Sequence, residues 1–193
     1  MARPKEFERE EALQKAMYVF WEKGYDATTL PELLEKMSIS RSSLYDTFGE
    51  KQALFRAALN LYLQQFAARR MGLLRKAKSA KQGITAYFQD HVEVALADTY
   101  PGGCFVTNTA TMLKTTDDQV VESITQGTDQ LEAAFYGLLQ RGQESGEIAR
   151  DKDIQALARL FVGMAYGINV VARVSPNRER LEDMMNAAIQ TLS

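Results

Sequence analysis

The sequence is poor in cysteine, histidine and proline. A single cysteine excludes an intramolecular disulfide. One cysteine and one histidine are too few for a closed metal site, which needs about four ligands. Four prolines and no alternation of apolar and polar residues bounded by turns argue against a β-sheet protein. Hydrophobic residues make up 46% of the chain, which is typical of a globular protein. We therefore predict an all-α protein with a substantial core, no metal and no cofactor.

The chain also lacks the marks of a secreted or membrane protein. Its N-terminal stretch, MARPKEFEREEALQ, is highly charged and unlike a secretory signal. The most apolar run, residues 160–174, is interrupted by Asn169 and Arg173 and is shorter than the roughly 20 residues that span a bilayer. A single cysteine suits a reducing compartment. We expect a cytoplasmic protein with no membrane partner.

The strongest local signals lie in residues 28–54, which predict two short helices joined by a tight turn. Thr29 and Glu32 form a capping box, and Pro31 sits in the first turn, where its missing N–H costs nothing. Residues 37–39 make the turn, and Ser40 can cap the second helix. This arrangement is a helix-turn-helix pattern.

The second of these helices has an outward face that suits DNA. Leu44 and Phe48 are expected to face inward, which leaves arginine, tyrosine and hydroxyl side chains outside. Arginine and serine can contact base edges, while tyrosine and threonine can donate to phosphates. A solvated, serine-rich helix is the alternative, and the pattern alone leaves both open. The predicted DNA contacts are Thr29, Ser40, Arg41, Ser42, Ser43, Tyr45, Thr47 and Lys51.

The segment LEKMSISRSSLYDTFGEKQALF resembles the DNA-binding signature of the tetracycline-repressor-like (TetR/AcrR) regulators of bacteria. The shared residues are the pair Leu44-Tyr45, then Phe48, then Lys51 at the next helix start. The resemblance covers residues 8–60, and a softer match, GGCFVTNTATML, follows a proline-glycine break. Ser38 departs from it, because the family commonly has glycine at that turn.

The resemblance implies a helix-turn-helix domain, here residues 1–50, and a ligand-binding and dimerisation domain, residues 51–193, linked by the fourth helix. The implied partners are a double-stranded DNA operator, a second copy in a homodimer and an unidentified small-molecule effector. The implied activity is repression, released when the effector binds.

The net charge by itself argues mildly against nucleic-acid binding. Residues 1–52 hold eight Lys or Arg and ten Asp or Glu. Phosphate binding needs a local positive potential, which Arg3, Lys5, Arg41 and Lys51 can supply if the fold brings them to one side. We expect modest and salt-sensitive affinity.

Apolar residues at helical spacing predict nine helices along the chain. Residues 1–5 are expected to form a flexible basic arm. The basic cluster that includes Arg69 and Arg70 is expected to lie in a solvated turn. The predicted helices span about residues 6–24, 29–37, 40–48, 50–76, 80–98, 104–113, 117–145, 153–173 and 177–192.

The middle of the chain, where family members enclose a ligand, supplies the expected pocket. Cys104 is either a buried inert thiol or, at a helix start, an electrophile-sensitive one. We find no nucleophile–base pair, so we expect no enzyme; an all-α small-molecule-binding protein or enzyme without DNA function is the alternative. The predicted pocket residues are Phe66, Tyr87, Phe88, His91, Cys104, Asn108, Met112 and Phe135.

The last two helices are amphipathic and predict a symmetric four-helix dimer seam, which the resemblance also implies. Gly163 and Gly167 are four residues apart and permit close approach of helices. Packing inside one chain is the alternative. The predicted interface residues are Leu160, Gly163, Met164, Gly167 and Ile168.

Overall fold

The computed structural model describes residues 3–97, 100–112 and 118–192, with side chains for all of these except 3–8 and 112. The described residues form nine helices and no strand, counting residues 51–76 as one helix. This confirms the all-α prediction. The helices are α1 (Arg3–Ala27), α2 (Leu30–Met37), α3 (Arg41–Phe48), α4 (Lys51–Tyr62, a π-helical turn Leu63–Ala67, then Ala68–Lys76), α5 (Ala80–Leu96), α6 (Phe105–Met112), α7 (Asp118–Glu144), α8 (Ile154–Val174) and α9 (Arg178–Gln190).

Helix α1 starts earlier than predicted. It includes residues 3–5, so the expected flexible arm is wrong for the described part of that segment. Glutamate, arginine and lysine are good helix formers, and they extend the helix backwards. The predicted end at residue 24 marks a real break inside the range Arg3–Ala27, because Gly24 has φ 77° and ψ 175° and interrupts the helical backbone.

Two cores divide the fold, and α4 contributes to both. The first joins α1, α2, α3, the first part of α4 and α6, around fully buried Phe20, Trp21 and Leu44. The second joins the last part of α4 with α5, α7, α8 and α9, around Phe88 and Phe161. A shift of α4 in one core is therefore felt in the other.

The turn between α2 and α3 carries local strain. Ser38 has φ 58° and ψ 40°, a left-handed conformation, and its N–H donates to the Glu35 carbonyl at 3.2 Å. Within the described residues it is the only non-glycine residue with positive φ. A side chain in this region costs about 1–2 kcal/mol, which glycine avoids.

We expect Ser38→Gly to raise the free energy of unfolding by about 0.5–1 kcal/mol, because relief of the strain exceeds the extra entropy of glycine in the unfolded chain. Ser38→Ala is the matched control, since alanine keeps the unfavourable φ. Urea unfolding of the three proteins checks this. Equal or lower stability of Ser38→Gly would show that the turn is not strained.

Helix α8 is long and apolar enough to cross a membrane by length and composition alone. It spans 21 residues, because six residues precede the apolar run 160–174 within the same helix. Phe161, Ala165 and Ile168 on one side are buried in the second core, however, and Leu160 and Val170 on the other side are exposed. This division is that of a helix packed on one face against α5, α7 and α9.

Candidate DNA-contacting surface and ligand cavity

The N-terminus of α3 is organised by Ser40. Its hydroxyl accepts from the Ser43 N–H at 3.1 Å and lies 2.9 Å from the hydroxyls of both Ser42 and Ser43. Ser40 is thus engaged as the helix cap. Its exposed neighbours hold hydroxyl groups at the start of the helix, where backbone N–H groups also point outward.

The outer face of α3 is formed by Arg41 and Tyr45, one turn apart. Both are exposed, and the Arg41 guanidinium lies over the Tyr45 ring at 5.8 Å. Leu44, between them in sequence, is fully buried. The predicted division between inner and outer residues therefore holds, and Thr47 is half-buried at its edge.

The flanks of α3 carry two further predicted residues. Thr29 caps α2 by accepting from the Glu32 N–H at 3.4 Å. The Glu32 carboxylate forms an ion pair with Lys23. The hydrogen bond from Lys23 is the main reason that the pKa of Glu32 is lowered. Lys51, the first residue of α4, lies over the Tyr25 ring at 4.4 Å, and partial burial lowers its pKa.

A central cavity of about 60 Å³ lies between α4, α5, α6, α7 and α8, beside the π-helical turn. Three predicted pocket residues line it: Tyr87, His91 and Cys104. π-Helical turns recur at functional sites, which makes this position notable. The remaining lining residues are Tyr62, Leu63, Ala67, Arg70, Met71, Val106, Gly127, Leu131, Ala165, Tyr166 and Asn169.

Four of the predicted pocket residues do not line the cavity. Phe88 and Phe135 are fully buried in the second core, on faces of α5 and α7 that do not line the cavity. Phe66 stacks on Tyr62 with ring centroids 5.0 Å apart, and Asn108 donates to the carbonyls of Trp21 and Gly102. The side chain of Met112 lies outside the described part of the chain.

Arg70 is the main residue that the sequence analysis missed. It was expected in a solvated turn, but it is only 6% exposed and lines the cavity. Its Nε donates to Asp90 Oδ2 at 3.1 Å, and its Nη1 lies 3.0 Å from His91 Nδ1. The spacing Tyr62, Phe66, Arg70 continues the apolar stripe of α4, and that signal could have revealed its burial.

His91 is a neutral link between three helices. Burial and the neighbouring Arg70 lower the pKa of His91 to about 3. Its Nδ1 therefore accepts from Arg70 on α4, and its Nε2–H donates to the Ala165 carbonyl on α8 at 2.9 Å. One imidazole thus joins α4 and α8 through α5.

We expect acid to destabilise the protein through His91. Below pH 6.5 the histidine of the unfolded chain binds a proton, whereas His91 in the folded protein stays neutral down to about pH 3. The free energy of unfolding therefore decreases as the pH is lowered through this range. One proton corresponds to about 1.4 kcal/mol per pH unit. Between pH 7.5 and 5.0 the wild type should lose about 2 kcal/mol more than His91→Gln, measured by urea unfolding at equal protein concentration. Equal losses would show that His91 titrates normally.

A second polar contact joins the cavity to the first core. The Tyr62 hydroxyl donates to Cys104 Sγ at 3.0 Å, and burial raises the pKa of Tyr62 well above its usual value. Phe105, the next residue, packs edge-on against Tyr62 and Phe55. Residues at the start of α6 therefore touch both the cavity and the helix that leads to α3.

The predicted dimer seam is only partly exposed in the single chain. Leu160 is 43% exposed, and a Cβ added at Gly163 would meet no atom within 4 Å. Gly167 instead faces Met184 of α9 at 3.9 Å, and Met164 is half-buried against the second core. Including Ile168 was wrong, because it is fully buried inside the protomer, about 100° around the helix from Gly167.

Within residues 3–97, 100–112 and 118–192, no three His, Cys, Asp or Glu side chains are grouped as a metal site would require. Cys104 and His91 both line the cavity, but their hydrogen bonds go to Tyr62, Arg70 and the Ala165 carbonyl.

Comparisons with known proteins match both halves of the chain. Residues 12–58 match the family described as bacterial regulatory proteins, tetR family, and residues 80–188 match the tetracyclin repressor-like C-terminal domain. The match at 80–188 covers more than half of the chain and includes α5, most of α9 and the helices between them.

Similar proteins agree over nearly the whole length. The HTH-type transcriptional regulator YezE of Bacillus subtilis is 34% identical over 193 residues, 100% of each chain, and the repressor ComR of Escherichia coli is 31% identical, covering 97% of this chain and 90% of ComR. The regulator CifR, a cysteine mutant complexed with 26-bp operator DNA, has a TM-score of 0.88 at 32% identity, covering 95% of this chain and 96% of its own. The chain therefore belongs to the TetR family and is a DNA-binding transcriptional regulator.

Proposed function

We propose that this regulator is a ligand-responsive repressor that binds a near-palindromic operator as a homodimer. One observation carries the proposal: a single continuous helix, α4, begins at Lys51 beside α3 and forms the cavity wall about three turns later at Tyr62 and the π-helical turn. Ligand and DNA surfaces are thus attached to one rigid element.

In the DNA complex, Arg41 contacts base edges, with Ser42 and Ser43 beside it. Tyr45, Thr47 and Lys51 donate to phosphates, Lys51 at the N-terminus of α4, where the helix dipole favours an anion. Thr29 adds a contact at the N-terminus of α2. Ser40 acts through its capping hydrogen bonds, which orient the first turn of α3.

The two copies associate through the exposed face of α8 together with α9, as a four-helix seam. In such dimers the two reading helices lie about one turn of DNA apart. We propose that residues 1–50 bind DNA and residues 51–193 bind ligand and form the seam. As a DNA-bound regulator it would be cytoplasmic and would carry out no catalysis.

The effector acts by favouring one spacing of the α3 helices over another. A ligand in the central cavity separates α4 from α6, and the hydrogen bond between Tyr62 and Cys104 is the first contact that it breaks. Arg173 at the end of α8 donates to the carbonyls of Gly102 and Glu22, so the seam helix is also tied to α1. Release needs only a difference in ligand affinity between the two conformers.

Selection of bound fragments from the source genome tests this function. The dimer should enrich a near-palindromic site, and small molecules that bind the cavity should release it. An all-α small-molecule-binding protein without DNA function would enrich no site and show no salt-sensitive binding.

Cys104 gives a second candidate, a repressor that senses electrophiles. The observation favouring it is that Sγ lines the cavity and accepts a hydrogen bond from the Tyr62 phenol. An electrophile such as N-ethylmaleimide would add to the thiol, forming an S–C bond while the thiol proton moves to the adjacent ring carbon.

We expect N-ethylmaleimide to leave both wild type and Cys104→Ser bound to the operator, because Cys104 is 7% exposed and its cavity is small. Fluorescence anisotropy of labelled operator measures this. Release of the wild type alone would establish the thiol as the sensor and replace the reversible-ligand mechanism.

A further inference from the structure

The central cavity offers hydrogen-bond donors without matching acceptors. The Tyr87 side chain is 3% exposed and lines the cavity, and its hydroxyl has no hydrogen-bond partner among the described residues. Nor is this oxygen among the fully enclosed atoms that lack a partner, where Trp21 Nε1 alone is found in the described part of the chain. The phenol oxygen is therefore reached from the cavity.

Arg70 supplies a second free donor. Its Nε and Nη1 are engaged by Asp90 and His91, while Nη2 makes no hydrogen bond to any residue that the structure describes. Neither donor is among the fully enclosed atoms that lack a partner, so both can be reached from the cavity, and a bound molecule that brings acceptors can pair with them.

The charge of the cavity points to an anion. Arg70 is the only charged side chain among the described residues that line it. Its counter-ion, Asp90, lies behind it and is shared with Arg69, so two guanidinium groups face one carboxylate. His91 is neutral, and burial raises the pKa of Tyr87, which keeps the phenol protonated and able to donate.

An outer groove of about 310 Å³ adjoins the cavity and shares with it Leu63, Ala67, Met71 and Gly127. The groove lies between the π-helical turn of α4 and α7, and its outer wall carries neutral amides from Gln64 and Gln126. Gly127 lines both the cavity and the groove, and its missing side chain leaves Leu63 as the nearest side chain at this position, 3.5 Å from where a Cβ would lie.

We propose that the central cavity binds a small aliphatic carboxylate, whose oxygens accept from Arg70 Nη2 and the Tyr87 hydroxyl. Its short chain lies against Val106 and Leu131 or extends towards the groove. A monoanion fits better than a phosphate because one cation faces an otherwise apolar wall. The inference names the ligand class of the effector site and rests on the proposed function only for its effect on DNA.

Calorimetric titration at pH 7.5 with straight-chain carboxylates from acetate to hexanoate tests the site, each beside its neutral primary amide. The wild type should bind at least one carboxylate roughly tenfold or more tightly than the amide of equal size. Tyr87→Phe should reduce this preference, and it should fold normally because the lost hydroxyl has no protein partner. Arg70→Gln should abolish the preference, while Arg75→Gln, on the same helix but exposed, outside the cavity lining and not paired with Asp90, should retain it.

Asp90→Asn provides an independent arm, because removing the competing carboxylate should tighten carboxylate binding even if Arg70→Gln fails to fold. Equal affinity for acid and amide, or no binding of any carboxylate, overturns the proposal. Operator binding is measured in the same samples. Carboxylate binding without operator release would leave the site standing and refute the effector role, whereas an absence of operator binding in ligand-free protein would refute the proposed function alone.

Discussion

Replacing Gly163 by leucine is expected to yield monomers and to weaken operator binding by roughly 100-fold or more, because linked half-sites reinforce one another by about that factor. The structure makes this a clean test. A Cβ at Gly163 meets nothing within 4 Å inside the protomer, and leucine favours helix over glycine by up to about 1 kcal/mol. The substitution should therefore harm only the contact between copies.

Gly72→Leu is the matched control, since Gly72 is also helical, has open space at its Cβ and lies outside the predicted seam. It should remain dimeric with unchanged affinity. Gly167→Leu should also disrupt the dimer, but it contacts Met184 within the protomer and is a less specific test. Sedimentation showing an unchanged dimer for both Gly163→Leu and Gly167→Leu would move the interface elsewhere.

Arg41→Ala is expected to cost about 1–3 kcal/mol of operator affinity if its contact with a base is bidentate, and to relax the preference at one base position. Tyr45→Phe is the companion variant. It keeps the ring that lies beneath the guanidinium but removes the hydroxyl, so it should weaken operator and random DNA to a similar extent.

Anisotropy titrations with the operator, single-base variants of it and a random duplex separate the two effects. If Arg41→Ala loses affinity equally for operator and random DNA, Arg41 contacts phosphate and the base-reading role passes to another residue of α3.

The parts of the fold that sequence predicted well are those set by local chemistry. Thr29 and Ser40 were identified as caps because a hydroxyl at a helix start has an N–H partner three residues later. Leu44 was predicted to face inward because it is an apolar residue flanked by polar residues on a short helix. Ser38 was flagged at the turn, where the structure has a left-handed residue.

The errors arose where burial depends on helices distant in sequence. The spacing from Phe66 indicated that Arg70 faces inward, but its partners Asp90 and His91 lie on α5, about twenty residues away, and no local pattern identifies them. Phe88 was assigned to the pocket and Ile168 to the dimer seam. Both are buried in the second core, where the helices α5, α7, α8 and α9 pack together. An amphipathic face can be found from sequence, whereas the element that covers it cannot.

The central claim, specific DNA binding by a dimer through α3, is tested most directly by measuring affinity for the selected operator and for a random duplex across a range of salt concentrations. We predict that the operator is preferred by roughly 10³ or more, and that log affinity falls linearly with log salt for both duplexes. Equal affinity for the two duplexes, or binding that does not respond to salt, would contradict the account.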